Sequence, residues 1–503
     1  MTGPADLSLS RWLPERAALT PDRVAIEFGD RRISYAELAA AAAGRAAAFA
    51  ARGLEAGDRV ATLARNCPEQ VEVFFACAMA GLVMVPLNWR LTAPELAYQL
   101  GDADPAVLLT DPSLEALGKE AAAAAGCEAG PLTAHGRKRE PGEVSAARPS
   151  GDDPLLILYT SGTTGRPKGA VLTHANCFWT NLSLDRTAEL GGSDVVLQVL
   201  PQCHVGGWNV QPLLAWWKGA TVVLEQAFDA GRVLALIAEK RITTMMGVPT
   251  NYLMLAAHPG FASADLSSLR QVIVGGAPMP RPLLETWLSR GVTITQGYGL
   301  TEAAPNVLCV PPECARQKTG SAGRPYLHVR VALRHLSGDG HVDGPGTGEL
   351  LVAGPNVFAG YWRNPPATEA ALEDGWLATG DIAERDDDGF YWIRGRSKDM
   401  YISGGENVYP AEVEEVLSGH EAIAEAAVVG VPDARWGETG LAFVVFRPGL
   451  EVPPEELAGY CRTRLAAYKV PGHFRTAAEL PRLTSGKLDK VMLRSMTGGD
   501  DVR

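Results

Sequence analysis

The segment Tyr159–Gly169, YTSGTTGRPKG, constrains this chain more than any other stretch. The apolar run Leu155–Leu158 before it has the length of a buried strand, and Ala170–Leu172 after it resumes an apolar pattern. Between them the backbone must turn through a stretch rich in glycine and hydroxyl side chains. Gly162 and Gly165 let successive N–H groups face one polyanion, Thr160, Ser161, Thr163 and Thr164 add donors, and Lys168 supplies positive charge. The stretch therefore reads as a phosphate-holding loop on α/β layers. No Gly-Lys-Ser/Thr follows, so it is not the Walker pattern.

At 503 residues the chain exceeds what one core supports, so at least two domains are expected. A net charge of −12 argues against a nucleic-acid partner, which calls for a basic face. The eight cysteines are scattered without zinc spacing and read as reduced thiols of a cytoplasmic protein. The N-terminal residues carry no apolar signal core, so secretion is not expected. Val73–Leu87 is apolar but falls short of the roughly 20 residues of a membrane helix. It reads as a buried helix running into a strand, and no integral membrane segment is expected.

Ala36–Ala51 reads as a packed helix on its alanine content. From about Lys119 to Pro154 the composition lacks periodicity and is expected to form a peripheral loop. Beyond it, β-rich runs (Ala220–Leu224, Gln271–Val274, Glu349–Val352) alternate with helical segments such as Arg232–Lys240, which implies mainly parallel strands in α/β layers. From Gly395 onward, helices at Pro410–Leu417 and Pro454–Leu465 and strands at Ala424–Gly430 and Leu441–Phe446 make a separate small domain.

Further segments follow the phosphate loop in a fixed order. They are GGAPM (Gly275–Met279), QGYGLTE (Gln296–Glu302), GWLATGD (Gly375–Asp381), GRSKDMYISGGENVYPAEVE (Gly395–Glu414) and LPRLTSGKLDK around Lys487. With RISYAEL at Arg32–Leu38, this series resembles the adenylate-forming superfamily, which includes acyl-CoA synthetases, aryl-CoA ligases, luciferases and peptide synthetase adenylation domains. The resemblance implies a large N-terminal multilayer α/β domain, residues 1–395, and a small mobile C-terminal α+β domain, residues 396–503, hinged at Lys398. It also implies ATP, Mg²⁺ and coenzyme A as reactants, with a small carboxylic acid as the other partner. A homodimer is compatible with the sequence.

By that resemblance, Gly276, Ala277 and Pro278 border the adenine edge, and Gln296, Gly297 and Tyr298 continue the nucleotide site, with Tyr298 stacking on the base. Gly299 leaves room for substrate, Thr301 donates to the α-phosphate, and Glu302 coordinates Mg²⁺ through oxygen. Asp381 grips the ribose hydroxyls, as an ionised carboxylate suits, and Ile393 and Arg396 complete the nucleotide set. Lys487 is the mobile adenylation lysine, bridging carboxylate and α-phosphate oxygens and then swinging away. Gly404, Gly405, Trp436 and Lys469 match positions near CoA.

PQCHVGGW, Pro201–Trp208, lacks the aspartate with which peptide synthetase domains fix an α-amino group. His204 resembles the histidine of acyl- and aryl-CoA ligases. Trp208 resembles the tryptophan that gates the acyl tunnel of some long-chain enzymes, and Val248, Gly275 and Gly299 complete the expected acyl pocket. Cys203 stands where the family commonly has Phe. The expected activity is AMP-forming acyl-CoA synthesis on a fatty or other large hydrophobic acid. Alternatives are an aryl acid of the coumarate or benzoate type, or transfer to a carrier protein. A non-catalytic adenylate-binding protein should lack Lys487, Glu302 or Asp381, and all three are present.

Overall fold

The computed structural model describes residues 7–133, 149–160, 166–338, 340–403, 406–483 and 488–498. Among them the strands form four sheets. In a nine-stranded sheet the six central strands, from Val24–Phe28 across to Ile294–Gly299, pair in parallel, and antiparallel strands close both edges. A seven-stranded sheet carries Arg59–Leu63, Val83–Leu87 and Pro154–Thr160 in parallel, continues through the antiparallel pair Pro154–Thr160/Lys168–Thr173, and has Gly360–Tyr361 at that edge. Parallel strands need crossover helices, and the apolar runs predicted as strands are buried because helices cover both sheet faces.

The alanine-rich segment forms the helix Tyr35–Ala51, started by a capping box: Ser34 Oγ accepts from Glu37 N–H, and Glu37 accepts from Ser34 N–H. Its Arg45 pairs with Glu72 at 2.8 Å in the core, where loss of one partner costs about 3–5 kcal/mol because the other charge is stranded. Glu72 lies on the helix Pro68–Ala80, which runs through Gly81 into the strand Val83–Leu87, as the apolar run predicted. No helix among the described residues is long and apolar enough to cross a membrane.

Two expectations need correction. The stretch from Lys119 is not simply loop: residues up to Ala125 belong to the helix Glu115–Ala125, which ends at Gly126 in the left-handed region, and a short strand follows at Ala129–Pro131. Alanine propensity favours the helix, and its buried residues Gly118, Ala121 and Ala122 recur at helical spacing, a pattern that small residues leave faint in the sequence. Glu349–Val352 is a strand, but it lies within Gly346–Ala353 of a five-stranded antiparallel sheet with Arg330–Arg334, Trp376–Arg385 and Tyr391–Arg396. β-Rich composition does not encode strand direction.

The fourth sheet begins at Tyr401–Ser403 and takes in Ile423–Asp433, Gly437–Phe446 and His473–Thr476. The helices Pro410–Ser418 and Pro454–Arg462 pack Val413, Leu417 and Leu457 against Ile423, Val428 and Val444. This core is distinct from that of the large sheets, so the C-terminal part is a separate α+β domain.

Candidate active site

Apart from Lys168, which opens the strand Lys168–Thr173, the predicted site segments of the two large sheets lie at the carboxyl ends of strands. Thr160 ends Pro154–Thr160, Gly275–Pro278 follow Gln271–Val274, Gln296–Gly299 lie on Ile294–Gly299, Val248 follows Thr244–Gly247, and the His204 loop follows Val195–Gln198. Open α/β sheets bind ligands outside their strand carboxyl ends. The antiparallel pairing of Thr160 with Lys168 fixes the two described ends of the segment predicted to hold phosphate. Behind it, the Tyr159 hydroxyl donates to Asp102 at 2.6 Å and Trp362 Nε1 donates to the Asp102 carbonyl at 3.1 Å, so the hairpin is tied to the helix Ala93–Ala103. Ser161, Gly162, Thr163, Thr164 and Gly165 lie outside the described residues, as do Gly404, Gly405 and Lys487.

Glu302 sits in a one-turn 3-10 helix, Thr301–Ala303, that begins at the end of the strand Ile294–Gly299. Its Oε1 accepts from the Tyr361 hydroxyl at 2.9 Å and from Thr160 Oγ1 at 3.5 Å, and Lys168 Nζ stands 4.9 Å from the Tyr361 ring centroid. Phe358 N–H donates to the Glu302 carbonyl at 2.9 Å. Burial first, and then the Glu302 charge, push the Tyr361 phenol above its usual range, so it remains a donor to the carboxylate. Tyr361 was not singled out from the sequence. Its place follows from the pairing of Gly360–Tyr361 with Ala170 and Val171, which no local motif announces.

A second carboxylate organises the neighbouring segment. Asp381 Oδ2 accepts from the Tyr298 hydroxyl at 2.6 Å, and Oδ1 pairs with Arg396 Nε at 2.6 Å. Asp381 faces Arg396 across the antiparallel strands Trp376–Arg385 and Tyr391–Arg396, and Ile393 faces Ala383 on the same pair. Thr379 fixes the approach, accepting from Asp381 N–H and donating to the Leu350 carbonyl. Burial first, and then the Asp381 charge, raise the Tyr298 phenol well above its ordinary value. The Gln296 side chain accepts from Met279 N–H at 3.3 Å, binding the segments around Gly276, Ala277, Pro278 and Gly297 together.

Gly299 carries a packing constraint of its own: a Cβ there would lie 1.7 Å from the Pro305 carbonyl oxygen, so close backbone packing by itself requires glycine. Gly275 faces the Met246 methyl and the Gly297 carbonyl, and Val248 approaches Gly276. Trp208 is fully buried, stacked on Phe74 at 4.8 Å, and its Nε1 donates to the Gln202 carbonyl at 2.6 Å. His204 lies in the same turn, its N–H bonded to the Pro201 carbonyl at 3.1 Å. Burial raises the adjacent Cys203 thiol to about 12 against the opposing pull of Arg90, which removes it as a nucleophile.

In the C-terminal domain the Lys398 carbonyl accepts from Arg494, which also pairs with Asp399 at 2.8 Å. Lys469 is held by Glu412 at 2.7 Å, and Trp436 N–H is held by Asp433. Neither is gathered with the Glu302 or Asp381 clusters by any of these bonds.

A family model of AMP-binding enzymes matches residues 13–362, and one of the AMP-binding enzyme C-terminal domain matches residues 412–487. The chain is a member of the AMP-binding enzyme family. This family member is 44% identical over 494 residues to a feruloyl-CoA synthase of Amycolatopsis sp, covering 97% of this chain and 99% of the relative. It is 41% identical over 502 residues to an indoleacetate–CoA ligase of Aromatoleum aromaticum, covering 97% and 98%. Among solved structures, the Bacillus subtilis o-succinylbenzoate-CoA synthetase MenE in complex with ATP and magnesium matches at TM-score 0.87 with 35% identity, over 96% of this chain and 99% of that one. The AMP-binding family thus accounts for both the multilayer α/β body and the separate C-terminal domain, as the motif series implied.

Proposed function

We propose that the chain is an ATP-dependent, AMP-forming acid–thiol ligase that activates an aromatic carboxylic acid as its adenylate and passes the acyl group to CoA. The observation that carries the reading is the pair of carboxylates on adjoining segments, Asp381 between Tyr298 and Arg396, and Glu302 between Tyr361 and the Thr160–Lys168 edge. We assign the first to the ribose diol and the second to a hard cation beside phosphates. Among the described residues no cluster of three or more His, Cys, Asp or Glu side chains forms a metal cage. A single carboxylate oxygen site fits Mg²⁺, which keeps several waters and takes one or two protein carboxylates plus substrate phosphates. When bound, the ion would offset charge on the phosphate oxygens.

In the first half-reaction an acid oxygen attacks the α-phosphorus and diphosphate leaves. Thr301 and Lys168 are assigned to the phosphate oxygens, and Lys487 to both the acid and the α-phosphate. Asp381 orients the nucleotide through the ribose, exchanging a contact with Tyr298 or Arg396 for a ribose hydroxyl. In the second half-reaction the CoA thiol attacks the acyl carbon and AMP departs. We assign this step to a rotation of residues 396–503 about Lys398, with Gly404, Gly405, Trp436 and Lys469 on the CoA side.

The aromatic branch of the acid readings is favoured by the two relatives' substrates and by Trp208. A long tunnel past that side chain would require breaking its stack on Phe74 and its bond to Gln202. Cytoplasmic residence belongs to the same reading, where ATP and CoA are supplied and the free thiols stay reduced. The test is diphosphate release with Mg²⁺, ATP and a panel of aromatic and fatty acids, followed by thioester detection on adding CoA. Diphosphate with aromatic acids and thioester on CoA addition are expected. Fatty acids alone as substrates would overturn the aromatic assignment, and release without thioester would overturn CoA as acceptor.

A further inference from the structure

The loop Pro201–Trp208 is held by a buried amide clamp whose outer member, Asn66, none of the site motifs contains. Asn66, at the end of the turn after Arg59–Leu63, uses its whole amide: Nδ2 donates to the carbonyls of Leu200 at 2.9 Å and Glu225 at 3.1 Å, and Oδ1 accepts from Gln202 N–H at 2.9 Å. Gln202 returns the contact, its Oε1 accepting from Cys67 N–H at 3.2 Å while its carbonyl takes the Trp208 indole N–H. Both amides are buried, with Asn66 3% and Gln202 1% exposed. The loop has little freedom of its own. His204 N–H is bonded to Pro201, Gly207 N–H to His204, and a Cβ at Gly207 would stand 2.3 Å from the Pro201 carbonyl oxygen.

From this geometry we infer that Asn66 is a positioning residue for acid recognition, setting the place of His204 and Trp208 through Gln202 without itself touching substrate. The inference rests on the proposed acyl-ligase reading. It joins two sheets, because Asn66 follows a strand of the seven-stranded sheet, whereas Leu200, Gln202 and Glu225 follow strands of the nine-stranded one. The Tyr298–Asp381–Arg396 contacts include neither Asn66 nor Gln202, so losing the clamp frees the Pro201–Trp208 loop without removing any of them. The nucleotide site is built from other segments, so a fault in the clamp should be felt in acid affinity and acid preference before ATP affinity.

The test compares Asn66→Ala, Asn66→Asp and wild type, using the best aromatic acid found for wild type and a smaller aromatic acid. For Asn66→Ala the expected result is a KM for the acid raised at least tenfold, a KM for ATP within twofold, and a changed ratio of kcat/KM between the two acids. Asn66→Asp keeps the acceptor for Gln202 N–H, so its acid KM should lie nearer wild type than that of Asn66→Ala even where its thermal stability is the lower of the two. A merely structural role predicts instead that KM tracks stability. Equal movement of both KM values, or an unmoved acid KM, overturns the inference. Should Asn66→Ala not fold, Asn66→Asp decides by the same split, an acid KM raised severalfold with ATP unchanged being the supporting result. Wild type that releases no diphosphate with any acid overturns the ligase reading, and the inference with it. An active wild type with variants that lack the split overturns the clamp alone.

Discussion

The Tyr298 hydroxyl donates to Asp381 at 2.6 Å, and this contact helps join the QGYGLTE segment to the antiparallel sheet that carries Arg396. The phenol's raised pKa keeps it a donor throughout the neutral range. Asp381→Asn removes the charge and one acceptor while preserving shape. Charge-assisted hydrogen bonds contribute about 1.5–3 kcal/mol each, which corresponds to a KM for ATP raised roughly 10–100-fold. Tyr298→Phe should raise it far less, because Arg396 still orients the carboxylate. Steady-state KM for ATP at saturating acid measures both, and an unchanged Asp381→Asn enzyme would remove Asp381 from the ribose site.

Tyr361→Phe isolates the donor on Glu302. The ring over which Lys168 sits is kept, and only the 2.9 Å bond to Oε1 is lost. The Mg²⁺ concentration giving half-maximal diphosphate release should rise severalfold, consistent with about 0.5–1.5 kcal/mol for one hydrogen bond. Thermal unfolding without metal should move by no more than a few degrees. A Mg²⁺ titration superimposable on wild type would show that Tyr361 does not orient the carboxylate.

Lys487→Ala separates the half-reactions. If the lysine offsets charge developing on the carboxylate and α-phosphate, its loss should slow acyl-adenylate formation by about 10²–10³-fold, as for removal of a preorganised donor. Thioester formation from supplied acyl-adenylate should stay within a few-fold of wild type. Equal loss in both assays contradicts the assignment.

What could be read from the sequence divides along physical lines. Strands such as Gln271–Val274 and helices such as Pro410–Ser418 were legible because short-range apolar spacing and turn residues set them. The pairings that finish the site were not. Tyr361 meets Glu302 across 59 positions and Tyr298 meets Asp381 across 83, and their register comes from tertiary strand pairing. Asn66 was silent for the same reason, because an Asn after a strand reads as an ordinary turn residue. Trp208 and Gly299 were visible as residues, yet their surroundings could not be foreseen. An indole in a core and one lining a tunnel look alike in sequence, and a glycine kept for backbone packing looks like one kept for a ligand.

Gly299→Ala tests that last distinction. The added methyl would overlap the Pro305 carbonyl, and since the two nearest atoms are Pro305 backbone, no flexible side chain is there to yield. The expected result is a loss of about 3 kcal/mol or more of stability, in the class of severe overpacking, with poor recovery of folded protein. Denaturant unfolding measures it. A stable variant with altered acid preference would favour the pocket role that the sequence suggested.

Asp194 gives a pH dependence outside the site. Burial pushes its carboxyl up, but Gly191 N–H, Arg270 and Thr243 together outweigh burial and hold it below the usual carboxylate range. Arg270 spans both oxygens at 2.6 and 2.7 Å, and Thr243 Oγ1 donates at 2.7 Å, linking the strand Val195–Gln198 to the segment before Gln271–Val274. Because the folded pKa is depressed, the stabilisation is present above the unfolded value of about 4 and is lost as pH falls through the lower folded value. Asp194→Asn should therefore lower stability at pH 7 by about 1–2 kcal/mol, a figure kept small because Arg270 is half exposed and screened. Its gap from wild type should narrow below about pH 4, where the wild-type carboxylate takes up its proton. Thermal unfolding of both proteins from pH 3 to pH 8 measures the gap, and a constant gap across that range would rule out the Asp194 charge as its source.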